Sequence, residues 1–280
     1  MSEFSKWLRS QLRVMGAAAR KEFLVFIRYP ANAILSLIQP IMWLAPLYFM
    51  GKAFSVGGRA VGFQGFAGTS DYFSFVMVGA FMSSYISVAF WGMAYSIEED
   101  MALGVLEPNW VTPANRVSML LGRSFMYALL TTAQSLGVLL IGALLFDVTL
   151  GGDIIAAVLI IVPMFIGLLG LGIGLAGVVL AIRRAQTAID ISSWVMSQLS
   201  GMQFPVSILP KPLMAIALTL PTTYGYDAVR SVVLGTDSLL PMRQEITILL
   251  ASAAAMCIIG RAVFYGFDRR CQRLGGIGGH

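Results

Sequence analysis

The sequence is poor in charge, histidine and cysteine, and each shortage excludes a class of protein. Only 12% of its 280 residues are charged, while 58% are hydrophobic and the mean hydropathy is +0.80. Soluble domains carry about 25% charged residues. A chain this apolar cannot cover its core in water, so it predicts an all-α membrane protein. The only histidine is His280, which argues against a histidine-based metal or proton-relay site. The two cysteines, Cys257 and Cys271, give no disulfide framework.

Recognisable catalytic motifs are also missing. The sequence contains no G-x-x-x-x-G-K-[ST] phosphate-binding loop, no H-E-x-x-H and no Ser/His/Asp or Cys/His set. We therefore expect no catalytic, cofactor-binding or metal site, which weighs against a membrane enzyme. Charges in the apolar runs are few, and Arg123, Asp190 and Arg261 lie near run ends, where a long base can reach the interface. No deep acidic residue is evident, which weighs against a secondary transporter or channel working alone.

The apolar runs predict six transmembrane helices. A helix needs about 20 mostly apolar residues to cross a bilayer. Such runs occupy 31–51, 72–96, 117–146, 154–182, 189–205 and 245–267. With the N-terminus inside, fourteen Lys and Arg residues fall on the cytoplasmic side and five outside, which places both termini in the cytoplasm. This topology explains the basic residues better than nucleic-acid binding does. The glycines of the fourth run predict close helix packing, and Gly170-x-x-x-Gly174 is also a dimerisation motif.

Two segments flank or interrupt this six-span domain, 31–267. In residues 1–30, apolar residues recur every three or four positions opposite a basic face, which predicts an amphipathic interface helix on anionic lipid headgroups. The apolar positions are Phe4, Leu8, Leu12, Met15, Ala19, Phe23 and Phe26. A plain topology anchor is the alternative.

Proline and glycine divide 206–234 into two short apolar helices, which predict a re-entrant helical hairpin before the last span. The alternative for 206–234 is an extracytoplasmic loop with surface helices. After the last span, residues 268–280 are predicted to form a basic cytoplasmic tail.

The stretch EEDMALGVLEPNW, residues 98–110, is acidic in a basic chain and faces the predicted cytoplasmic side. Negative charge favours a helix N-terminus, so the acids predict a helix of about ten residues that starts there and stops at Pro108. Such a helix is too short to cross the membrane. Its apolar residues must pack on something cytoplasmic, which is either a partner or the rest of this chain, and both alternatives stay open.

Three groups of residues carry a family resemblance. The first leads through Arg28-Tyr29-Pro30 to Gln39-Pro40. The second is Gly104-Val105-Leu106-Glu107, Thr112-Pro113, Arg116 and Leu121-Gly122-Arg123. The third is Ser200-Gly201, Phe204-Pro205-Val206, Leu209-Pro210, Leu220-Pro221, Tyr224 and Asp227-Ala228-Val229-Arg230. In this order they resemble the membrane subunit of ABC exporters of the type-2 permease family, which exports drugs, lipids and lipid-linked polysaccharides. The chain departs from the family pattern at Leu103, where a base is common, and at Asn109-Trp110.

The resemblance implies a homodimer of this chain in a prokaryotic cytoplasmic membrane, driven by two copies of a separate ABC ATPase subunit that binds ATP and Mg. Residues 97–113 would form a coupling helix in a groove of the ATPase, and the N-terminal helix a second contact. The implied coupling residues are Glu98, Glu99, Asp100, Gly104, Glu107, Thr112, Pro113 and Arg116. The implied substrate path, from the first and fifth spans, includes Gln39, Trp43, Met196, Gln198, Met202 and Gln203. Ordinary lipid or helix packing is the alternative for these path positions.

We therefore expect the permease subunit of an ATP-driven exporter. Because the path side chains look apolar, the expected substrate is a hydrophobic drug or a lipid-like molecule. A permease for a lipid-linked polysaccharide or glycolipid is the alternative. A stand-alone secondary transporter or channel is a more distant one.

Overall fold

The computed structural model describes residues 3–55, 60–112, 114–146, 151–182 and 186–273, and within them all regular secondary structure is helical. The helices are α1 (Glu3–Arg28), α2 (Pro30–Ala53), α3 (Val61–Ala67), α4 (Tyr72–Phe90), α5 (Ser96–Ala102), α6 (Leu106–Val111), α7 (Arg116–Phe146), α8 (Ile154–Ile182), α9 (Gln186–Leu199), α10 (Lys211–Ala217), α11 (Pro221–Leu234) and α12 (Met242–Arg273). A π-helical turn, Trp91–Tyr95, joins α4 to α5. A 3-10 turn, Val206–Ile208, precedes α10.

Four helical segments are long and apolar enough to cross a membrane. They are Tyr72–Ala102, Arg116–Phe146, Ile154–Ile182 and Met242–Arg273. These segments coincide with the predicted second, third, fourth and sixth runs, so the prediction of an all-helical membrane protein is confirmed. The predicted first and fifth runs correspond to α2 and to α9, which has only 14 residues. The count of six spans therefore stays a prediction.

The closest helix packing joins α8 to α12. Gly170 and Gly260 face each other there, and a Cβ on Gly260 would lie 1.8 Å from the carbonyl oxygen of Gly170. Only glycine permits two helix backbones to approach this closely. The predicted close packing is thus present. The reading of Gly170-x-x-x-Gly174 as a dimerisation motif is wrong, because α12 of the same chain already occupies this face.

The hydrophobic core has two unequal parts. The larger part is centred on α4, α8, α11 and α12, with side chains such as Met82, Leu168 and Phe264 fully buried. A smaller cluster joins α2, α4 and α7 through Leu44, Val76 and other apolar residues. The thin packing around α2 leaves a cavity between these three helices.

The segment predicted as a hairpin contains two short helices that differ in burial. Most of α10 is exposed, whereas α11 packs against α4, α8 and α12. Arg230 of α11 is buried and donates to the carbonyl oxygens of Gly201, Met202 and Phe75 at 2.6, 2.8 and 3.1 Å. These bonds fix α11 to the chain that follows α9. The depth of the two helices in a membrane stays a prediction.

Candidate coupling segment and substrate cavity

The acidic segment does not form the separate helix that its charges predicted. One helix runs from Tyr72 through the π-helical turn to Ala102, so the three acids lie in its last two turns and not at a free N-terminus. The helix ends because Gly104 adopts a left-handed φ of 67°, which favours glycine. The prediction that Pro108 stops the helix is also wrong. Pro108 lies in the first turn of α6, where its missing N–H would have no intrahelical partner.

The acids have a partner within the chain, which is Arg123 of α7. The Arg123 Nη1 atom donates to Asp100 Oδ1 at 2.9 Å, and its Nη2 atom donates to Glu99 Oε2. The Nε atom of Arg123 lies 2.9 Å from Glu22 Oε1. Lys21 lies 3.9 Å from Asp100. Arg123 is only 5% exposed. Its guanidinium is therefore paired with three carboxylates of this chain, and its position relative to the membrane interface stays a prediction.

We name Glu22, Glu99, Asp100 and Arg123 the ion-pair cluster. It joins α1, α5 and α7 at one end of the bundle, which we call the α1 end. A hydrogen bond of 2.7 Å from Ser118 to Gln11 adds to the contact between α7 and α1. Breaking a buried ion pair by removing one partner costs about 3–5 kcal/mol. The cluster therefore holds α1 and the acidic segment as one unit.

Beyond this cluster, the chain turns outward and exposes apolar side chains. We name Leu103, Gly104, Val105, Glu107 and Val111 the exposed turn. Leu103 is 64% exposed and Val111 is 81% exposed. Leu106, in contrast, is buried in the core of this chain. The segment thus packs on its own protein at Leu106, and the packing of its exposed apolar residues on a partner stays a prediction.

The remaining residues implied in coupling fall into two settings. Glu98 is half-buried, and Thr112 is exposed with its hydroxyl donating to the Asn109 carbonyl oxygen at 2.6 Å. Arg116 donates to the buried Asp268 of α12 and lies over the Trp110 ring, 4.4 Å from its centroid. Pro113 lies outside the described residues. Asp100, Glu99 and Arg116 are therefore engaged within the chain, whereas Glu107 and Gly104 face outward.

A cavity of about 240 Å³ lies between α2, α4 and α7. It contains two of the six implied path residues, Trp43 and Met202. Gln39 is exposed, Met196 is buried in the core, and Gln198 and Gln203 are half-buried, and none of the four lines this cavity. The structure therefore brings together only part of the implied path.

Sequence reasoning missed the polar side chains of the cavity. They are Ser83, Ser84 and Ser87 on α4, and Thr131, Gln134 and Ser135 on α7. Ser83 donates to Ser197 at 2.7 Å and Ser135 donates to Ser84 at 3.3 Å. Among the described residues, the side chains of Ser87 and Gln134 form no such hydrogen bond. The lining of the cavity is therefore mixed and not apolar as expected. The signal available in the sequence was the helical spacing of these polar residues within two apolar runs.

The comparison with known families decides what kind of protein this is. A family model described as "ABC-2 family transporter protein" matches residues 60–261. The chain belongs to this family. No curated protein matches it. The permease is therefore a membrane component of an ABC transporter, and such components work with an ATPase partner rather than hydrolysing ATP.

The matched region of the permease includes most of the features described above. It contains the exposed turn, the α4 and α7 walls of the cavity, and α11. It does not contain α1, so Glu22 connects a helix outside the matched region to Arg123 inside it. The ion-pair cluster thus fixes this additional helix to the part that defines the family.

Proposed function

We propose that this permease forms a homodimer that exports an amphiphilic substrate, driven by two ABC ATPase subunits that bind ATP and Mg. One observation carries the proposal. The continuous helix Tyr72–Ala102 bears the cavity residues Ser83, Ser84 and Ser87 and ends directly before the exposed turn. Ser87 and Ala102 are about 22 Å apart along a helix that rises 1.5 Å per residue. A push on the turn would therefore move the cavity wall.

In this proposal the ATPase contacts the exposed turn together with Glu98, Thr112 and Pro113. Apolar side chains with a polar rim are typical of a protein-binding surface. Glu99, Asp100 and Arg116 act one step behind it, since their charges are engaged with Arg123 and Asp268. They would keep the turn rigid, so that the closing of two ATPases moves the helix and not only the loop.

The membrane arrangement is part of the same proposal. The permease has six spans, with α2 and α9 as the first and fifth, and both termini lie in the cytoplasm. The exposed Leu8, Leu12 and Phe23 support an interface helix in residues 1–30, because they leave an apolar surface of α1 uncovered. The 206–234 hairpin would cap the outer mouth of the path. The cell membrane of a prokaryote is the expected location.

The cavity supports a small amphiphilic substrate group. Trp43, Phe81 and Met202 offer apolar contacts, and Ser87 and Gln134 offer hydrogen bonds. No side chain that lines the cavity is charged. A volume of about 240 Å³ accommodates a headgroup or part of a chain, since drug-sized pockets take about 300–1,000 Å³. The hydroxyl groups also favour a glycolipid, which is the second candidate.

The coupling proposal is tested by charge reversal at the two ends of the bundle. The permease is purified from native membranes with any P-loop ATPase that accompanies it, and ATP-driven transport is measured after reconstitution. We expect Glu107→Lys to reduce ATPase recovery and transport at least tenfold, because Glu107 is the charged residue of the exposed turn. Asp237→Lys is the matched control, since Asp237 is an exposed acid at the other end. Equal recovery with both variants would contradict the proposed contact.

The substrate proposal has its own assay. Stimulation of ATP hydrolysis is compared for neutral amphiphiles, glycolipids and cationic drugs of similar size. Uncharged probes should stimulate most, and Gln134→Leu should weaken them selectively. A glycolipid-only response would favour the second candidate, while a cation-only response would contradict an uncharged cavity as the site.

A further inference from the structure

A buried acidic side chain lies at the start of the last long helix, opposite the α1 end. Glu245, in the first turn of α12, is fully buried. Its Oε1 atom accepts the N–H of Leu240 at 3.1 Å. Asp227 of α11 accepts the neighbouring N–H, that of Leu239. Since consecutive N–H groups bind them, the two carboxyl groups lie close together where α11 contacts α12, with Asp227 half-buried and Glu245 enclosed.

The second oxygen of Glu245 is the unusual feature. Oε2 is buried and no N–H or O–H donor from the described residues reaches it. The carboxyl of Asp227, which accepts the adjacent backbone N–H, is a neighbouring acidic group. Ionised carboxylates only accept hydrogen bonds, so two of them in contact repel each other. A proton on one oxygen turns the same contact into a hydrogen bond.

The surrounding charges balance one negative charge and not two. Arg230, buried on α11, acts electrostatically on Asp227 but gives its hydrogen bonds to three backbone carbonyl oxygens. The neighbouring helices α4 and α8 contain no charged residue. Asp237 and Arg243 on the adjoining loop and α12 are exposed. Burial raises the pKa of Asp227 above its ordinary value, which agrees with a retained proton.

We propose that Asp227 and Glu245 share one proton and form a proton-binding site between α11 and α12, in which Glu245 is buried and Asp227 is half-buried. This site goes beyond the proposed export function and does not depend on an ATPase. A proton fits better than a metal ion, because the described residues contain no group of three acidic, histidine or cysteine side chains around it. The proton would fix α11 to α12, and its loss would leave two facing negative charges that loosen this contact.

Infrared spectroscopy of the purified full-length permease in detergent tests the site directly. Wild-type protein should show a carbonyl band of a protonated carboxylic acid at neutral pH, and alkaline titration should remove it. Glu245→Gln and Asp227→Asn should each remove this band at neutral pH, whereas Asp237→Asn should keep it. A wild-type spectrum without the band at neutral pH, or a band that persists in both acid-pair variants, would overturn the proposal.

Thermal unfolding across pH provides a second test. The folded wild-type protein holds a proton that the unfolded chain releases at neutral pH, so its unfolding temperature should fall as pH rises over roughly 5 to 9, where buried carboxyls titrate. Glu245→Gln should flatten this dependence, because its amide N–H replaces the proton as a donor to Asp227. If the variants fail to fold, the pH titration of the wild-type protein alone decides whether the site holds a proton.

The infrared measurement also distinguishes a proton from a metal cation. Loss of the infrared band on adding sodium or potassium at neutral pH would mean that a metal cation replaces the proton, and would also overturn the proposal.

Discussion

Replacing Arg123 with methionine should release α1 from the α5–α7 pair. Methionine keeps much of the length of the side chain but removes its charge. Glu22 and Asp100, both less than 10% exposed, then lose their guanidinium partner. Removal of one partner from a buried pair costs about 3–5 kcal/mol. Lys21 remains 3.9 Å from Asp100, so we expect the lower end of this range, about 3 kcal/mol.

A double-mutant cycle with Glu22→Gln makes the prediction sharper. In the wild-type background this change removes the charge from one contact of Arg123, and should cost about 1 kcal/mol because the amide oxygen keeps a polar contact with Nε. In the Arg123→Met background the same change removes a buried charge whose remaining cation is the half-exposed Lys21 at 3.8 Å, and should stabilise the protein. The sign of its effect should therefore reverse, with a coupling energy of about 1–3 kcal/mol.

The free energy of unfolding is measured for the four proteins in mixed micelles under reversible conditions. Arg261→Met is the control, since this arginine is exposed and lies 5.4 Å from the Tyr265 ring centroid, a contact worth about 0.5–1 kcal/mol. Glu22→Gln with the same cost in both backgrounds would refute the ion-pair cluster as a structural unit. Equal losses for Arg123→Met and Arg261→Met would refute it as well.

Three further predictions concern other contacts. Gly170→Leu should force α8 from α12 and lower the unfolding temperature, since a Cβ would lie 2.6 Å from the Cys257 nitrogen, whereas Gly266→Leu, with open space, should not. Ser87→Ala should weaken binding of an uncharged amphiphile, measured by Trp43 fluorescence with Trp43→Phe as the blank, and unchanged affinity would exclude this hydroxyl as a contact. Arg116→Met should increase hydrogen exchange at the end of α12, because buried Asp268 loses its cation.

The long helices could be predicted because a bilayer imposes a simple length rule. The predicted runs 117–146 and 154–182 differ by at most one residue from Arg116–Phe146 and Ile154–Ile182. Lipid cannot satisfy a free backbone group, so an apolar run of this length becomes a helix whatever its neighbours are. The end of a helix is less certain. The acids before Gly104 suggested a start, but the glycine φ and the helix that already ran from Tyr72 determined an end.

The partners of the charged residues could not be predicted from local spacing. Glu22 and Arg123 are far apart along the chain, and their contact depends on α1 crossing α7. Glu245 stands at the edge of a predicted run, where an acid normally meets water. It is buried because α11 and the chain before α12 cover it. The pattern of apolar residues along the chain does not show such a tertiary contact. The hydroxyl groups of Ser83 and Ser87 were visible in the sequence, but the path was sought on other spans.

Each end of the bundle contains more buried or half-buried acids than nearby bases, and the excess negative charge is stabilised differently at the two ends. In the ion-pair cluster, three acids meet Arg123 and Lys21, which leaves one excess negative charge. The Glu99 side chain is 38% exposed, so water can stabilise that excess and no proton is required. At the other end, Arg230 balances only one of two acids, and Glu245 has no exposed surface through which water could stabilise the second charge. A proton is the remaining way to neutralise it. The contact at the α1 end should therefore tolerate a wide range of pH, whereas the contact between α11 and α12 should weaken as pH rises.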